Sequence, residues 1–534
     1  MWLRNLFFIG LILAGVAALG ATLYPSARPP RVRHFDARPF QQPAFTDTVA
    51  TVNGAINREI AAAELQPAPA APELAVIRRL SLALTGTIPS LQEIRQLEAQ
   101  PPGERLQWWL SGIFQDRRYG DYLAERLARA YVGTEGGPFI VFRRRRFVLW
   151  LSDQLARNRP YDDLVRELIA AEGVWTDRPA VNFITVTKED GKDPNPERLA
   201  GRVTRAFLGI RVDCAQCHNH PFQKWKQHDF QGLAAFFGQV HQGTVGIYDG
   251  KGDYTVENRK TGAKETVEPD VPFLKDLVPS QGTRRERLAH WVTDRGNPYF
   301  ARATVNRVWA LLFGRPLVEP VDDLGSVGEV PPALQALADD FTAHGYDLQH
   351  LIRVIAATEA FGRDSAADHE ITEAHEKTWA AFPLTRLRPE QVAGSLLQAA
   401  SIETINGHSN VLARLGFYQG EADFIKRYGD DGENEFDGRG GTIPQRLVLM
   451  NGQLVKNKTK QDLPNASSRI AQLAPDDRTA VESAYLAVLT RRPTPEELTH
   501  FEQRLAGTTG RERAERLEDL YWTLLNATEF SWNH

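Results

Sequence analysis

Only two cysteines occur in the 534 residues, and they stand together as Cys214-Ala215-Gln216-Cys217, followed at once by His218. Two thiols at this spacing can form thioethers to the two vinyl groups of a haem, while the adjacent imidazole ligates iron from one face. On this reading haem c is the cofactor and Cys214, Cys217 and His218 hold it. Other chemistries use the same residue types. Zinc could be bound by the two thiolates with His218, His220 or His228, since mixed Cys and His sets are common zinc ligands. A thioredoxin-like redox pair usually opens a helix after a strand, and no such pattern precedes Cys214. A local disulfide is the plainest alternative. A framework of disulfides stapling the fold is excluded by the count alone.

A haem iron with His218 on one face leaves a sixth position, for which His228, His241, His290 and Met450 are the candidates. His220 is two residues from His218 and cannot pass round the porphyrin. Met450 serves only if the second half of the chain packs over the haem. Two histidines would set a lower potential than histidine with methionine, and a five-coordinate iron would favour small-molecule chemistry.

Other polar groupings are duller. Arg143-Arg144-Arg145-Arg146 could meet haem propionates or an acidic redox partner protein, although a solvated helix face needs the same residues. Asp430, Asp431, Glu433, Glu435 and Asp437 form an acidic loop without the spacing of a calcium hand. Asp322 and Asp323 follow Pro320 in a turn, and no partner marks them as a general acid–base pair. The chain contains no P-loop, dinucleotide fingerprint, HExxH zinc motif or nucleophile elbow. With 63 basic and 67 acidic residues it has no global field that would draw nucleic acid.

The elements that must position the motif are helical. Apolar residues make up 42% of the chain, enough for folded cores and too many for disorder. Leu6 to Tyr24 is an uncharged apolar stretch spanning about 28 Å as a helix, close to a hydrocarbon core of roughly 30 Å. Residues 1–24 therefore read as a membrane anchor, with Ala18-Leu19-Gly20 offering a cleavage site. Arg28, Arg31 and Arg33 outnumber Arg4 and point the body to the cytoplasm; the CxxCH motif points it to the extracytoplasmic, periplasmic side, and that placement is adopted. Residues 25–73, punctuated by proline and closed by Pro67-Ala68-Pro69-Ala70-Ala71-Pro72, read as a tether interrupted around Val52–Leu65. A cytochrome-like helical domain is expected over 74–245, a β-hairpin excursion over 246–282, and a second helical domain over 283–530. Ser90 and Glu93 form a capping-box signature. The Leu84-Thr85, Pro89-Ser90, Glu93 sequence is echoed by Leu489-Thr490, Pro493-Thr494, Glu497. The fold class is mainly α.

The string CAQCHNHPFQKWKQHDFQGLAAFFGQV (Cys214–Val240), with RRLSLALTGTIPS (Arg78–Ser90), RRYGDYLAERLARAYV (Arg117–Val132) and RPYDDLVRELIAAEG (Arg159–Gly173), resembles the planctomycete cytochrome-like domain of unknown function 1549. NPYFARATVNRVWALLFGRPLVEPVDDLG (Asn297–Gly325), HGYDLQHLIRVIAATEAF (His344–Phe361) and TIPQRLVLMNGQLV (Thr442–Val455) resemble its companion, domain of unknown function 1553. The resemblance implies a cell-envelope protein of unestablished activity, with haem attachment mapped onto Cys214, Cys217 and His218. Two departures stand out: the extra N-terminal cytochrome domain of many relatives is missing, and Asn219 replaces a frequent aspartate.

Overall fold

The structure, a computed structural model, describes residues 35–134, 144–189, 192–219, 225–257, 262–324, 329–406, 442–460 and 465–534, with Gly10, Ser409, Gly420, 424–429, Phe436 and Asp462 besides. These form a mainly helical molecule with three small antiparallel two-stranded sheets. Among the described residues no helix is long and apolar enough to cross a membrane. The anchor expected over 1–24 lies outside the described residues, Gly10 apart.

The helices follow their sequence signals closely. Ser90 Oγ accepts from Glu93 N at 3.0 Å and Glu93 Oε2 accepts from Ser90 N at 2.9 Å, which starts helix Leu91–Glu98. Thr494 and Glu497 repeat the device at the start of helix Pro495–Leu505. The helix before each start, Glu73–Thr85 and Asp477–Leu489, ends on a left-handed residue, Gly86 and Thr490 respectively. The two echoing units also share a core, in which Leu82, Ile88, Leu91 and Ile94 pack with Leu486, Leu489 and Leu505.

The tether expectation is corrected. Residues 43–62 form a helix whose Phe45, Val52, Ile56 and Ile60 are buried in the main core. Pro43 stands at its first turn, where a missing N–H costs nothing. The apolar residues recur at helical spacing, so proline punctuates this segment without extending it. The segment Pro67–Pro72 is extended, yet it is fastened: Ala68 N donates to Ala380 O at 2.7 Å and Ala71 N to Gly362 O at 2.8 Å.

The excursion expected over 246–282 contains two hairpins, and the first begins earlier. Val240–Gly243 pairs with Gly246–Asp249, and Thr255–Glu257 pairs with Lys264–Thr266. The third pairing, Thr385–Arg386 with Trp532–Asn533, had no sequence signal because two residues are too few for an alternation.

Packing runs across the expected domain division. One core gathers Phe207 of the first half with Trp309 of the second and extends from Phe40 to Phe382. The other joins Leu82 to Ile94 with Leu387 to Phe530. Helix Glu73–Thr85 serves both, and its two arginines stitch it in place. Arg78 Nη2 donates to Phe530 O at 3.1 Å. Arg79 Nη1 donates to Phe361 O at 2.9 Å and Arg363 O at 2.7 Å, and its guanidinium lies 3.7 Å from the Phe382 ring centre. Burial lowers the Arg79 pKa to about 9, with Asp364 opposing that shift.

Candidate functional site

The motif sits on a surface turn. Asp213–Gln216 forms one turn of 3-10 helix, and Cys217 and His218 follow it exposed to solvent. Cys217 is a free thiol. The Cys214 side chain, His220, Pro221 and Phe222 lie outside what the structure describes. Beneath the turn, Ile210, Val212 and Ala215 are buried in the main core. Ile210, Val212 and Ala215 therefore pin the turn while Cys217 and His218 face outward.

Three polar contacts hold the turn against helix Gln227–Ala235. Gln227 Nε2 donates to Gln216 O at 3.2 Å and to Cys217 O at 3.3 Å. The Gln227 N–H donates to Asn219 Oδ1 at 3.0 Å. Asn219 thus supplies the acceptor that a helix start lacks. Asn219→Ala is expected to destabilise the protein by roughly 1 kcal/mol, whereas Asn219→Asp keeps the acceptor and the stability. Paired thermal melts of the two variants check this.

His218 Nδ1 lies 2.7 Å from Asn219 O. A carbonyl only accepts, so Nδ1 carries the proton in the neutral ring and Nε2 keeps its lone pair. That is the tautomer a metal-ligating histidine needs, fixed by a partner on its other nitrogen.

An ionic network braces the motif from the second half of the chain. Arg205 Nη2 donates to Asp213 Oδ2 at 2.6 Å, and Arg205 Nε lies 3.6 Å from Asp322 Oδ2. Arg211 donates to Asp322 Oδ1 from Nε at 3.0 Å and from Nη2 at 2.6 Å. Leu324 N donates to Gly209 O at 2.7 Å. A Cβ at Gly201 would collide with Asp213 Oδ1, so only glycine lets Asp213 approach this helix so closely. Asp322 is an ion-pair partner that ties two halves together, which accounts for it without acid–base chemistry.

The remaining sequence candidates separate. His228 is exposed, next to the Gln227 that clamps the motif, with Nε2 4.0 Å from Asp270 Oδ2. His241 has both ring nitrogens engaged, by Asp193 Oδ2 at 2.8 Å and Lys251 O at 3.1 Å. The hydrogen bond it donates to Asp193 raises its pKa despite partial burial. His290 is exposed in the last turn of helix Arg284–Thr293. Met450 is exposed, and its neighbour Leu449 is buried in the second core, away from the main core that anchors Ala215.

The aromatic residues that follow the motif pack solidly. Trp225, Phe230, Phe236 and Phe237 are all buried in the main core, where they fill space between helices. Arg144 is bound to Glu125 and Arg146 to Thr176 O, while Arg143 lies outside the described residues. The acidic residues Asp430, Asp431, Glu433, Glu435 and Asp437 lie outside them too. One constellation was missed in the sequence: Asp340, His344 and His350 converge. Asp340 and His344 are four apart, the spacing that places two side chains on one helix face.

Comparison with known families gives two matches in chain order. Residues 51–242 match the protein of unknown function DUF1549, and residues 284–415 match the protein of unknown function DUF1553. The chain belongs to this paired-domain family. No curated protein and no solved structure matches it. In this DUF1549–DUF1553 protein the exposed CxxCH turn lies within the first domain, and Asp322, Leu324 and the Asp340 constellation lie within the second. The family boundary falls at the hairpins, although the hydrophobic packing crosses it.

Proposed function

We propose that the protein is an envelope-anchored electron carrier. Cys214 and Cys217 take the thioethers of haem c, His218 Nε2 ligates its iron, and a redox partner protein docks on the extracytoplasmic side of the membrane. Each thiol would add across one vinyl double bond, sulfur bonding to one carbon and hydrogen passing to the other, with no change of oxidation state. Haem, when bound, supplies one-electron chemistry. The observation that carries the reading is the exposed His218 ring with Nδ1 held by the Asn219 carbonyl. Exposure of Cys217 beside it gives attachment machinery access to the turn. Of the sixth-ligand candidates, His228 fits best, because it is exposed and its helix contacts the motif directly.

The test is the full chain expressed with haem-attachment machinery. Haem absorption that survives denaturing extraction, together with a matching gain in intact mass, is expected. Cys217→Ser should lose the second thioether and most of the retained colour. Colourless protein at the mass of the bare polypeptide would sink the proposal.

A second reading is favoured by the solid packing of Trp225, Phe230, Phe236 and Phe237. In it the protein is a non-enzymatic envelope scaffold whose Cys–His cluster holds zinc or closes a local disulfide. One zinc per chain, lost together with helicity in Cys217→Ser, would favour this scaffold over the carrier.

A further inference from the structure

We infer that Asp340, His344 and His350 form a binding site for a zinc-class divalent cation, separate from the Cys–His turn. Asp340 is in the last turn of helix Pro332–Ala343 and His344 follows at its end. His350 is in the first turn of helix Leu348–Ala356, whose N-cap Asp347 accepts from His350 N at 2.8 Å. The turn between them reverses the chain through Gly345 and Tyr346, both at positive φ. That reversal brings the two imidazoles face to face, with ring centres 3.8 Å apart.

The donor atoms already lie close together. His350 Nε2 lies 2.8 Å from Asp340 Oδ2, and His344 Nδ1 lies 3.2 Å from Asp340 Oδ1. One ligand atom from each of the three residues falls within 4.8 Å of the others. Ligands around a tetrahedral zinc with bonds of about 2.0–2.1 Å are separated by roughly 3.3 Å. The two Asp340–histidine separations are therefore already near those a bound ion needs, while the stacked rings, 3.8 Å apart, must open for both to ligate it. His344 Nδ1 also lies 2.9 Å from Asp340 O, a carbonyl to which it donates, so coordination through Nδ1 breaks that bond and moves the ring proton to Nε2.

The surroundings have the character of a built site. Asp340 and His350 are buried, and Phe45 packs edge-on to the His350 ring. Thr48 Oγ1 donates to Asp340 Oδ1 at 2.7 Å and so orients the carboxylate from outside. Burial would raise the Asp340 pKa, but the hydrogen bonds from His350 and Thr48 and the neighbouring imidazoles hold it below the ordinary range. His344 is only partly covered, which leaves an entry path and a fourth position for water. One carboxylate and two imidazoles suit zinc better than magnesium or calcium, which prefer oxygen ligands. Because Thr48 belongs to helix Pro43–Ala62, a bound ion would fasten that helix to the DUF1553 domain.

The experiment uses untagged, metal-stripped full-length chain in detergent, with Cys214, Cys217 and His218 replaced by Ser, Ser and Ala so that the turn cannot contribute. Titration with Zn2+ alone should reach one ion per chain with micromolar or tighter affinity, and Mg2+ should not compete. His344→Ala should weaken zinc binding at least tenfold. Thr48→Val should weaken it by roughly 10–100-fold. Co2+ in the same site should show the visible bands of a nitrogen–oxygen tetrahedral site without thiolate charge transfer, a readout independent of stability. Absence of saturable zinc uptake, or uptake unchanged by His344→Ala in a variant that keeps its helicity, would overturn the inference. Neither outcome bears on haem at Cys214 and Cys217.

Discussion

Glu390→Ala should cost about 3–5 kcal/mol of folding stability, because it removes the buried counter-charge that faces Arg126. Arg126 Nη1 and Glu390 Oε1 are 2.7 Å apart, with side chains 1% and 9% exposed. Arg126 lies on helix Arg117–Val132, and Glu390 lies in the first turn of helix Pro389–Ala399. The pair therefore spans the distance between the DUF1549 domain and the helices after residue 387 that build the second core. Its attraction is offset in part by the cost of removing both charges from water, so the intact pair is worth far less than its loss. Arg126→Leu with Glu390→Leu should accordingly recover most of the stability that Glu390→Ala loses. Urea unfolding of the wild type, the single variants and the double variant measures the coupling. Additive losses, or a single-variant loss below about 0.5 kcal/mol, would show that Arg126 finds water or another partner.

Periodicity and capping chemistry made the helices legible, since both act within a few residues. Ser90 and Glu93 announced a helix start, and their side chains make both expected hydrogen bonds. Leu74, Ile77, Leu80, Leu82 and Leu84 recur as an apolar stripe along helix Glu73–Thr85, and all are buried except Leu74, which is partly covered. The neighbouring Arg78 and Arg79 gave no such signal. Two adjacent arginines read as a solvated face, and only distant carbonyls at Phe361, Arg363 and Phe530 reveal why they are buried. Helix Pro43–Ala62 was obscured because proline both starts helices and extends linkers, and the deciding partners lie some 300 residues away, Asp340 among them.

The site was legible by residue type and only partly by geometry. Cys214, Cys217 and His218 are adjacent in sequence, so their proximity needed no fold. The proton placement on His218 depends on the Asn219 carbonyl, a backbone contact without a sequence signature. Trp225, Phe230, Phe236 and Phe237 carried little information about the site, because a haem wall and a helical core draw on the same aromatic residues. The Asp340, His344 and His350 cluster depends on a chain reversal at Gly345 and Tyr346 that pattern alone did not locate.

Trp309→Ala should destabilise the protein by a further class of mechanism, cavity formation, at about 3–5 kcal/mol. Trp309 is fully buried in helix Pro298–Phe313. It stacks on Phe313 with ring centres 4.2 Å apart and meets Trp379 edge-on at 5.1 Å. Phe313 in turn contacts Phe361 and Phe382, each at 5.3 Å. Each well-oriented aromatic pair adds about 0.5–1.5 kcal/mol beyond its buried area, so losing two contacts places this position at the upper end of the range. Collapse is resisted from the far side as well. Arg79 lies over Phe382 and is held by the Phe361 and Arg363 carbonyls, so the cluster cannot close over the vacancy without straining a buried cation. Trp309→Phe retains a ring against Phe313 and should lose much less. Both variants can be compared by urea unfolding followed through far-ultraviolet circular dichroism, which reports the helices and not the lost indole. If Trp309→Ala cost no more than Trp309→Phe, the cluster would have to repack freely, and the Arg79 cage could not be the rigid seam between the two cores.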